Sequence, residues 1–351
     1  MQKKLLWVLP VLIVTILFVP TILVYMSPAK QITTVKAVET VRNNDEPKNH
    51  YPAPTVRVYL TKEKKVIALP LEEYIRGVVA SEMPSEFHKE ALKAQALAAR
   101  TYIVDRLMKE ELSDMKTMGE TAESAHVSDT VKHQVYTTDE KLIQKWGNQA
   151  AVYMQRIKEA VTETEGQIIT YEDQPIYAAF FSTSNGKTEN SEEYFKSAVP
   201  YLRSVDSSWD TSSPKYEKKI KMSLHDLSKQ LSTVTGKQIS IDTTTSNHFL
   251  KITKRTEGNR VAEVRIGDEL FSGREVREAL KLASTDFEMT ITGDQVSVVT
   301  KGYGHGVGMS QWGAHLLAQN GSNANQIVTH YYQGVKVKEI KPTLAQIAQN
   351  K

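Results

Sequence analysis

Apolar side chains recur along this chain at Leu71, Tyr74, Ile75, Val78 and Val79, the spacing that lines one face of a helix. The next places on that stripe are residues 82 and 83. Met83 keeps the pattern and Glu82 breaks it. A carboxylate where a core side chain is expected must be paired, protonated or lining a pocket. Pro84 disfavours helical geometry at Met83, so the helix is expected to end there. That puts Glu82 in the last turn, where the negative end of the helix dipole opposes a second negative charge. Apolar neighbours push its pKa the same way, towards an acid able to donate a proton near neutrality. A second reading stands beside this one: Glu82 caps a turn or pairs with a nearby Lys or Arg.

Around this stripe the alternation of TVRVYL and VIAL predicts a hairpin that turns at Lys62–Lys65, with Pro70 at the first position of the helix. Ser85 is a candidate N-cap for a longer helix over 86–108. Its centre, ALKAQALAAR, is rich in small residues and is expected to pack tightly in the interior. Further helices are expected over 141–164, over 274–282 and from Ser310. A hairpin is expected from 167–171 and 176–182, and two strands from 287–300 turning at Gly293-Asp294. The result is an α+β chain: one mixed domain over 55–341, a smaller inserted subdomain over 214–271 and a short tail over 342–351.

The N-terminus adds a membrane. After Lys3 and Lys4, residues 5–26 carry no charge, which is long enough to span a bilayer as a helix. The lysines favour a cytoplasmic end at 1–4 and an extracytoplasmic remainder. The run exceeds the ~7–15 residues of a signal-peptide core, so an uncleaved anchor is preferred over a signal peptide. Residues 27–54 are polar and aperiodic, and read as a tether. A net charge of +3 is too small to argue for nucleic acid. The absence of cysteine removes disulfides, thiolate metal sites and a cysteine nucleophile.

Three more segments could carry chemistry. Arg100 closes the alanine-rich run, and either snorkels to solvent or sits beside Glu82 to hold an anionic group. STSNGKTEN, 182–190, is a small polar loop after a strand, a place for ligand contacts or a plain turn. YGHGVGMSQWGA, 303–314, fails G-x-G-x-x-G and the P-loop pattern. Its glycines argue for a sharply turned backbone that something approaches closely. There Trp312 could stack on a sugar while His305 and Gln311 bond its hydroxyls; equally, Trp312 is a core residue and His305 a satisfied loop histidine. His126 and His133 lie near Asp129, but no zinc spacing and no G-x-S-x-G elbow is present.

With GVVASEMP, AQALAARTY, FFSTSNGKTE and GHGVGMSQWGA in this order, the chain resembles the stage II sporulation protein D family over roughly 55–341. The resemblance implies a membrane-anchored lytic transglycosylase, free of cofactors, acting during engulfment of the forespore on peptidoglycan strands stripped of stem peptides. It also implies two partners, the amidase stage II sporulation protein P and the membrane protein stage II sporulation protein M, and a place on the mother-cell side. The family's catalytic glutamate falls on Glu82 and its motif arginine on Arg100. Tyr102, Gln134, Tyr136, Ser182 and Ser184 join His305, Gln311 and Trp312 as candidates for substrate contact. Some relatives carry a metal-binding Cys-Asp-x-x-His-Cys segment. Here Ser128 and His133 replace its cysteines and Lys132 its histidine, so no metal is expected. Related domains in enhancers of cell-wall amidases imply the alternative, a glycan-binding module that stimulates a partner.

Overall fold

The computed structural model describes residues 53–239 and 249–349, all within the compact unit His50–Lys351. The expected span at 5–26 and nearly all of the tether lie outside the described residues. Among the described residues no helix is long and apolar enough to cross a membrane. The architecture is α+β, with several small sheets arranged around helices.

Strand β1 (Thr55–Leu60) pairs antiparallel with β2 (Lys65–Pro70), as the alternation requires. Helix α1 (Leu71–Glu82) follows at once, with Pro70 as its N-cap residue rather than its first helical one. Leu71, Tyr74, Ile75, Val78 and Val79 are all buried. Met83 is extended, at φ −116° and ψ 146°, the geometry favoured before proline. Helix α2 (Lys89–Lys109) starts later than the sequence suggested. Its N-cap is His88, whose side chain accepts the Glu90 N–H. Ser85 is instead buried in the preceding turn, and its carbonyl accepts from Arg156 Nε at 3.0 Å.

The alanines of α2 let it run through the middle of the main core, against α1 and against elements later in the chain. After β3 (Val127–Ser128), which adds parallel to β1, the helix expected over 141–164 is two: α3 (Asp139–Trp146) and α4 (Ala150–Glu163). Gly147, at φ 54°, breaks them. Strand β4 (Gln167–Tyr171) pairs with only a short β5 (Gln174–Pro175). The chain then leaves that hairpin, and β6 (Phe180–Phe181) pairs elsewhere.

A second core follows. It is built by β7 (Glu217–Ser223), α5 (Leu224–Thr235), β8 (Leu250–Arg255), β9 (Val261–Ile266), β10 (Glu269–Ser272), α6 (Gly273–Leu280), β11 (Asp286–Thr292) and β12 (Gln295–Lys301). Two three-stranded sheets, β10-β9-β8 and β11-β12-β7, enclose Leu227, Leu231, Val264, Phe271, Phe287 and Val298. This core therefore runs past Phe271. The hairpin β11–β12 joins it because β12 pairs with β7 along its whole length, from Gln295↔Ser223 to Lys301↔Glu217.

The chain then returns to the main core. Strand β13 (Met309–Ser310) pairs parallel with β6. Helices α7 (Gln311–Gln319) and α8 (Ala324–Tyr331) and strand β14 (Lys336–Glu339), which pairs with β4, complete it. The expected tail is helical as α9 (Lys341–Gln349) and buries Leu344 completely.

Arg100 does neither of the things expected of it. Its side chain is 0% exposed, and it grips Glu72 through Nε–Oε1 (2.9 Å) and Nη2–Oε2 (2.6 Å). It also donates to Thr164 Oγ1 and to the carbonyls of Val161 and Gln167. Snorkelling fails because α2 is wrapped on every side at this point. Arg100 is thus a rivet between α1, α2 and α4, with no part in substrate contact. Replacing Glu72 with Gln should strand a buried guanidinium and lower stability by about 3 kcal/mol, measured by urea denaturation.

Candidate active site

Glu82 lies half-buried in the wall of an open cleft of about 810 Å³. One side of the cleft is the outward face of α2, with Tyr102, Asp105, Arg106 and Lys109, and the loop through His133 and Gln134. The other side is the stretch 176–180, Tyr194, the Gly304-His305 turn and Arg277 of α6. Both cores therefore contribute walls.

The carboxyl of Glu82 is held by the chain that returns past the end of α1. The Val135 N–H donates to its Oε1 at 2.9 Å. Burial raises its pKa, and the bonds from Val135 and Gln311 offset that only in part. The cause is desolvation of a charge that has no cationic partner.

The Val135 segment is itself fixed by a chain of polar groups. The Ser128 N–H donates to His133 Nδ1 at 3.1 Å, so Nδ1 is an acceptor and the ring proton sits on Nε2, 2.7 Å from Asp114 Oδ2. Ser128 Oγ adds a 2.7 Å bond to the same Nδ1. Arg106 pairs with the other Asp114 oxygen at 2.5 Å. Burial raises the pKa of Asp114, but its bonds to Arg106 and His133 outweigh this and take it down to about 2. Ser128 and His133 are thus hydrogen-bonded to each other. Among the described residues no cluster of His, Asp and Glu suits a metal.

Gln134 and Tyr102, two of the candidates for substrate contact, line the cleft. Gln134 Oε1 accepts from the Tyr74 hydroxyl at 3.0 Å, and its Nε2 has no partner among the described residues. Burial raises Tyr102 to about 12, so it is a neutral hydroxyl.

The remaining candidates are placed differently. Tyr136 stacks on Tyr74 at 5.7 Å on the far side of Gly77 and faces a separate hollow with Arg76 and Asp139. Gln134 and Tyr136 both meet Tyr74, the first through its hydroxyl and the second through its ring, and they open on different hollows. Ser184 is buried in its own turn, donating to the Lys187 carbonyl at 2.8 Å. Ser182 lies outside the cleft lining, and its carbonyl accepts the Trp312 N–H at 3.0 Å. Trp312 packs edge-on against Phe87, with ring centres 4.8 Å apart. Gln311 donates to the Glu82 carbonyl at 3.0 Å, bracing the helix end instead of a sugar.

His305 does line the cleft, but as a ring. It stacks on Tyr194 at 5.1 Å, and its Nδ1 accepts the Val307 N–H at 3.1 Å. Burial, with the charges of Arg277 and Arg260, takes its pKa down to about 4. It is a neutral wall.

The glycine-rich turn is sharply bent, as its composition suggested, but what approaches it is the protein's own backbone. A Cβ on Gly308, at φ +79°, would stand 2.1 Å from the Ala179 carbonyl oxygen. This close approach lets β13 pair with β6. Asp210, which no pattern in the sequence marked, ties the two motif loops together. It accepts from the Ser184 N–H (2.5 Å), Ser207 Oγ (3.2 Å) and Ser310 Oγ, and burial raises its pKa to about 6. Its only sequence signal is position in SSWD, a polar stretch with no periodicity.

The family described as Stage II sporulation protein matches this chain over residues 59–171. That match takes in Glu82, the whole of α2 and the His133–Val135 segment. The chain is 44% identical over 346 residues to Stage II sporulation protein D of Bacillus amyloliquefaciens, covering 96% of each. It is 45% identical over 285 residues to the Bacillus subtilis protein of that name, covering 81% of this chain and 79% of that one. This chain belongs to the stage II sporulation protein D family. Its setting is therefore sporulation. It is also 29% identical over 310 residues to the Amidase enhancer of Bacillus subtilis, covering 74% of this chain and 39% of that protein.

The raised pKa of Glu82 has a consequence for stability. A group whose folded pKa lies above its unfolded value stabilises the protein fully below the unfolded value, and that stability is lost as pH rises through the folded pKa. Glu82→Gln does not titrate, and its amide oxygen can still accept from Val135. The variant should melt at the same temperature as the parent or above it at pH 7, with the gap closing below pH 4.5. Thermal melts across that range measure it.

Proposed function

We propose that this member of the stage II sporulation protein D family is a lytic transglycosylase, cutting the N-acetylmuramic acid to N-acetylglucosamine linkage of peptide-stripped peptidoglycan. One observation carries the reading. Of the four carboxylates that line the cleft, Glu82 is the one that burial, with no cationic partner, pushes to a raised pKa; Asp105 pairs with Lys109 at 2.9 Å, Asp114 is held ionised by Arg106, and Glu111 is exposed to solvent.

Glycosidases that use water, or a covalent intermediate, need two free carboxyl groups. One suffices when the attacking group belongs to the substrate. Protonated Glu82 donates to the glycosidic oxygen as the bond to the muramic C1 breaks. The resulting carboxylate takes the proton of the muramic C6 hydroxyl, whose oxygen closes on C1. The product is a 1,6-anhydro sugar, and Glu82 ends protonated as it began. A well-placed intramolecular hydroxyl acts at an effective concentration of about 10⁵ M or more, so water does not compete. The Tyr102 hydroxyl is a donor available to sugar oxygens, and the exposed Tyr177 offers a ring face. In this reading the N-terminal span holds the domain outside the membrane, beside the amidase and the membrane protein of the same complex.

Glu82→Gln should lower cleavage of peptide-free strands by about 10²–10⁴-fold or more, with strand binding kept. Mass spectrometry of the digest reads it, since anhydro ends report the reaction. Undiminished turnover by the variant would discard the assignment. Intact strands with the parent protein, together with faster action of an added amidase, would favour the stimulating module instead, the reading supported by the likeness to the Amidase enhancer. Cleavage should also persist in EDTA, because the polar chain through His133 needs no ion to fix Val135.

A further inference from the structure

The second core reaches the cleft through α6. That helix turns Val276, Ala279 and Leu280 into its own core, which leaves Arg277 on the face that lines the cleft. Its charge is unusual for the neighbourhood. Arg274 pairs with Glu278 at 2.8 Å and Arg260 with Glu189 at 3.8 Å. Across the cleft Arg106 pairs with Asp114 and Lys109 with Asp105, while Lys132 Nζ is turned onto the Asp114 carbonyl and Thr117 Oγ1 at 3.2 Å each. Arg277 makes one long bond, Nε to the Leu282 carbonyl at 3.4 Å. Among the described residues no carboxylate pairs with it.

A guanidinium at the wall of a cleft, short of partners, is suited to a planar anion that it can grip with two parallel bonds. The proposed substrate has one such group. A strand of N-acetylated sugars is neutral apart from the lactyl group of each muramic acid. That group is an amide while a peptide is attached and a carboxylate once the peptide is gone. We infer that Arg277 is a specificity-determining residue that binds this lactyl carboxylate, so that the second core reads whether a strand has been stripped. The inference rests on the glycan-cleaving reading above and assigns a residue to its substrate preference. It also gives the second core a task within the site: it supplies a guanidinium fork with no carboxylate beside it, whereas the fork of Arg106 across the cleft is already paired with Asp114.

The test compares two forms of one peptide-free strand, with lactyl carboxylates free or converted to methyl amides, on the full-length protein in detergent. In the Glu82→Gln background, binding of the labelled strands is read by fluorescence anisotropy. The free-acid form should bind about tenfold to a hundredfold more tightly than the amide, and adding Arg277→Gln should bring that ratio to within about twofold of one. Arg277→Lys should keep part of the selectivity, since it retains the charge and loses the fork. With the parent protein the same preference should appear in KM. A thermal melt checks that the Arg277 variants are folded. Selectivity unchanged by Arg277→Gln, or equal loss for both forms, overturns the assignment. Selective binding without cleavage by the parent would sink the lyase chemistry and leave Arg277 in place; failure to bind either form would sink both.

Discussion

The hydrogen bond from the Val135 N–H to Glu82 Oε1 is the constraint on which the rest of the site depends. It joins a helix end to a loop more than fifty positions later in the chain, and each must be held independently for the bond to form. Helix α1 is held by its buried stripe and by the Arg100–Glu72 rivet. The loop is held by the Ser128–His133–Asp114–Arg106 chain. A carboxyl fixed in this way is kept out of water without a salt bridge, and that combination raises its pKa. A cation within reach of Glu82 would have undone it, so the engagement of Arg100, Arg106 and Lys109 elsewhere is part of the same design.

Glu82 was legible because helical periodicity makes a polar residue on an apolar stripe conspicuous, and Pro84 fixes the end of the helix. Arg100 was misread because the sequence shows a charge at the edge of an apolar run but not what surrounds it. Its partner Glu72 lies on α1, twenty-eight positions earlier, in a first turn where an acid is common without any such pairing. The same limit separates Gln134 from Tyr136. Both sit in the motif and both pack on Tyr74, yet one lines the cleft and the other a separate hollow, and nothing local distinguishes them. Asp210 went unseen because a buried carboxylate satisfied by three hydroxyl and amide donors leaves no periodic trace.

At the level of the fold, strands bounded by strong turns were read well: β1–β2 around the lysine turn, and β11–β12 around Gly293-Asp294. Elements whose ends are set by tertiary contacts were not. The second arm of the β4 hairpin is short, and a few residues on Phe180–Phe181 pair instead with β13, a partner more than a hundred positions away. The glycine-rich turn shows the same ambiguity in chemistry. Its composition demanded close approach, and Gly308 meets the Ala179 carbonyl where a ligand was equally compatible with the sequence.

Two cores facing one cleft divide the labour in a physically sensible way. The first supplies a desolvated acid, and so must keep positive charge away from it; Arg106 and Lys109 on that side are paired with carboxylates, and Lys132 is turned onto a carbonyl and a hydroxyl. Any fixed charge that recognises an anionic substrate must then come from elsewhere, beyond the range at which it would depress the acid's pKa. Helix α6 offers such a position, because its own core lies outside the main one and its exposed face lines the cleft. His305, neutral and packed against Tyr194 in the same wall, adds no second positive charge beside Arg277. Proton transfer and charge recognition can then coexist in one groove without either compromising the other.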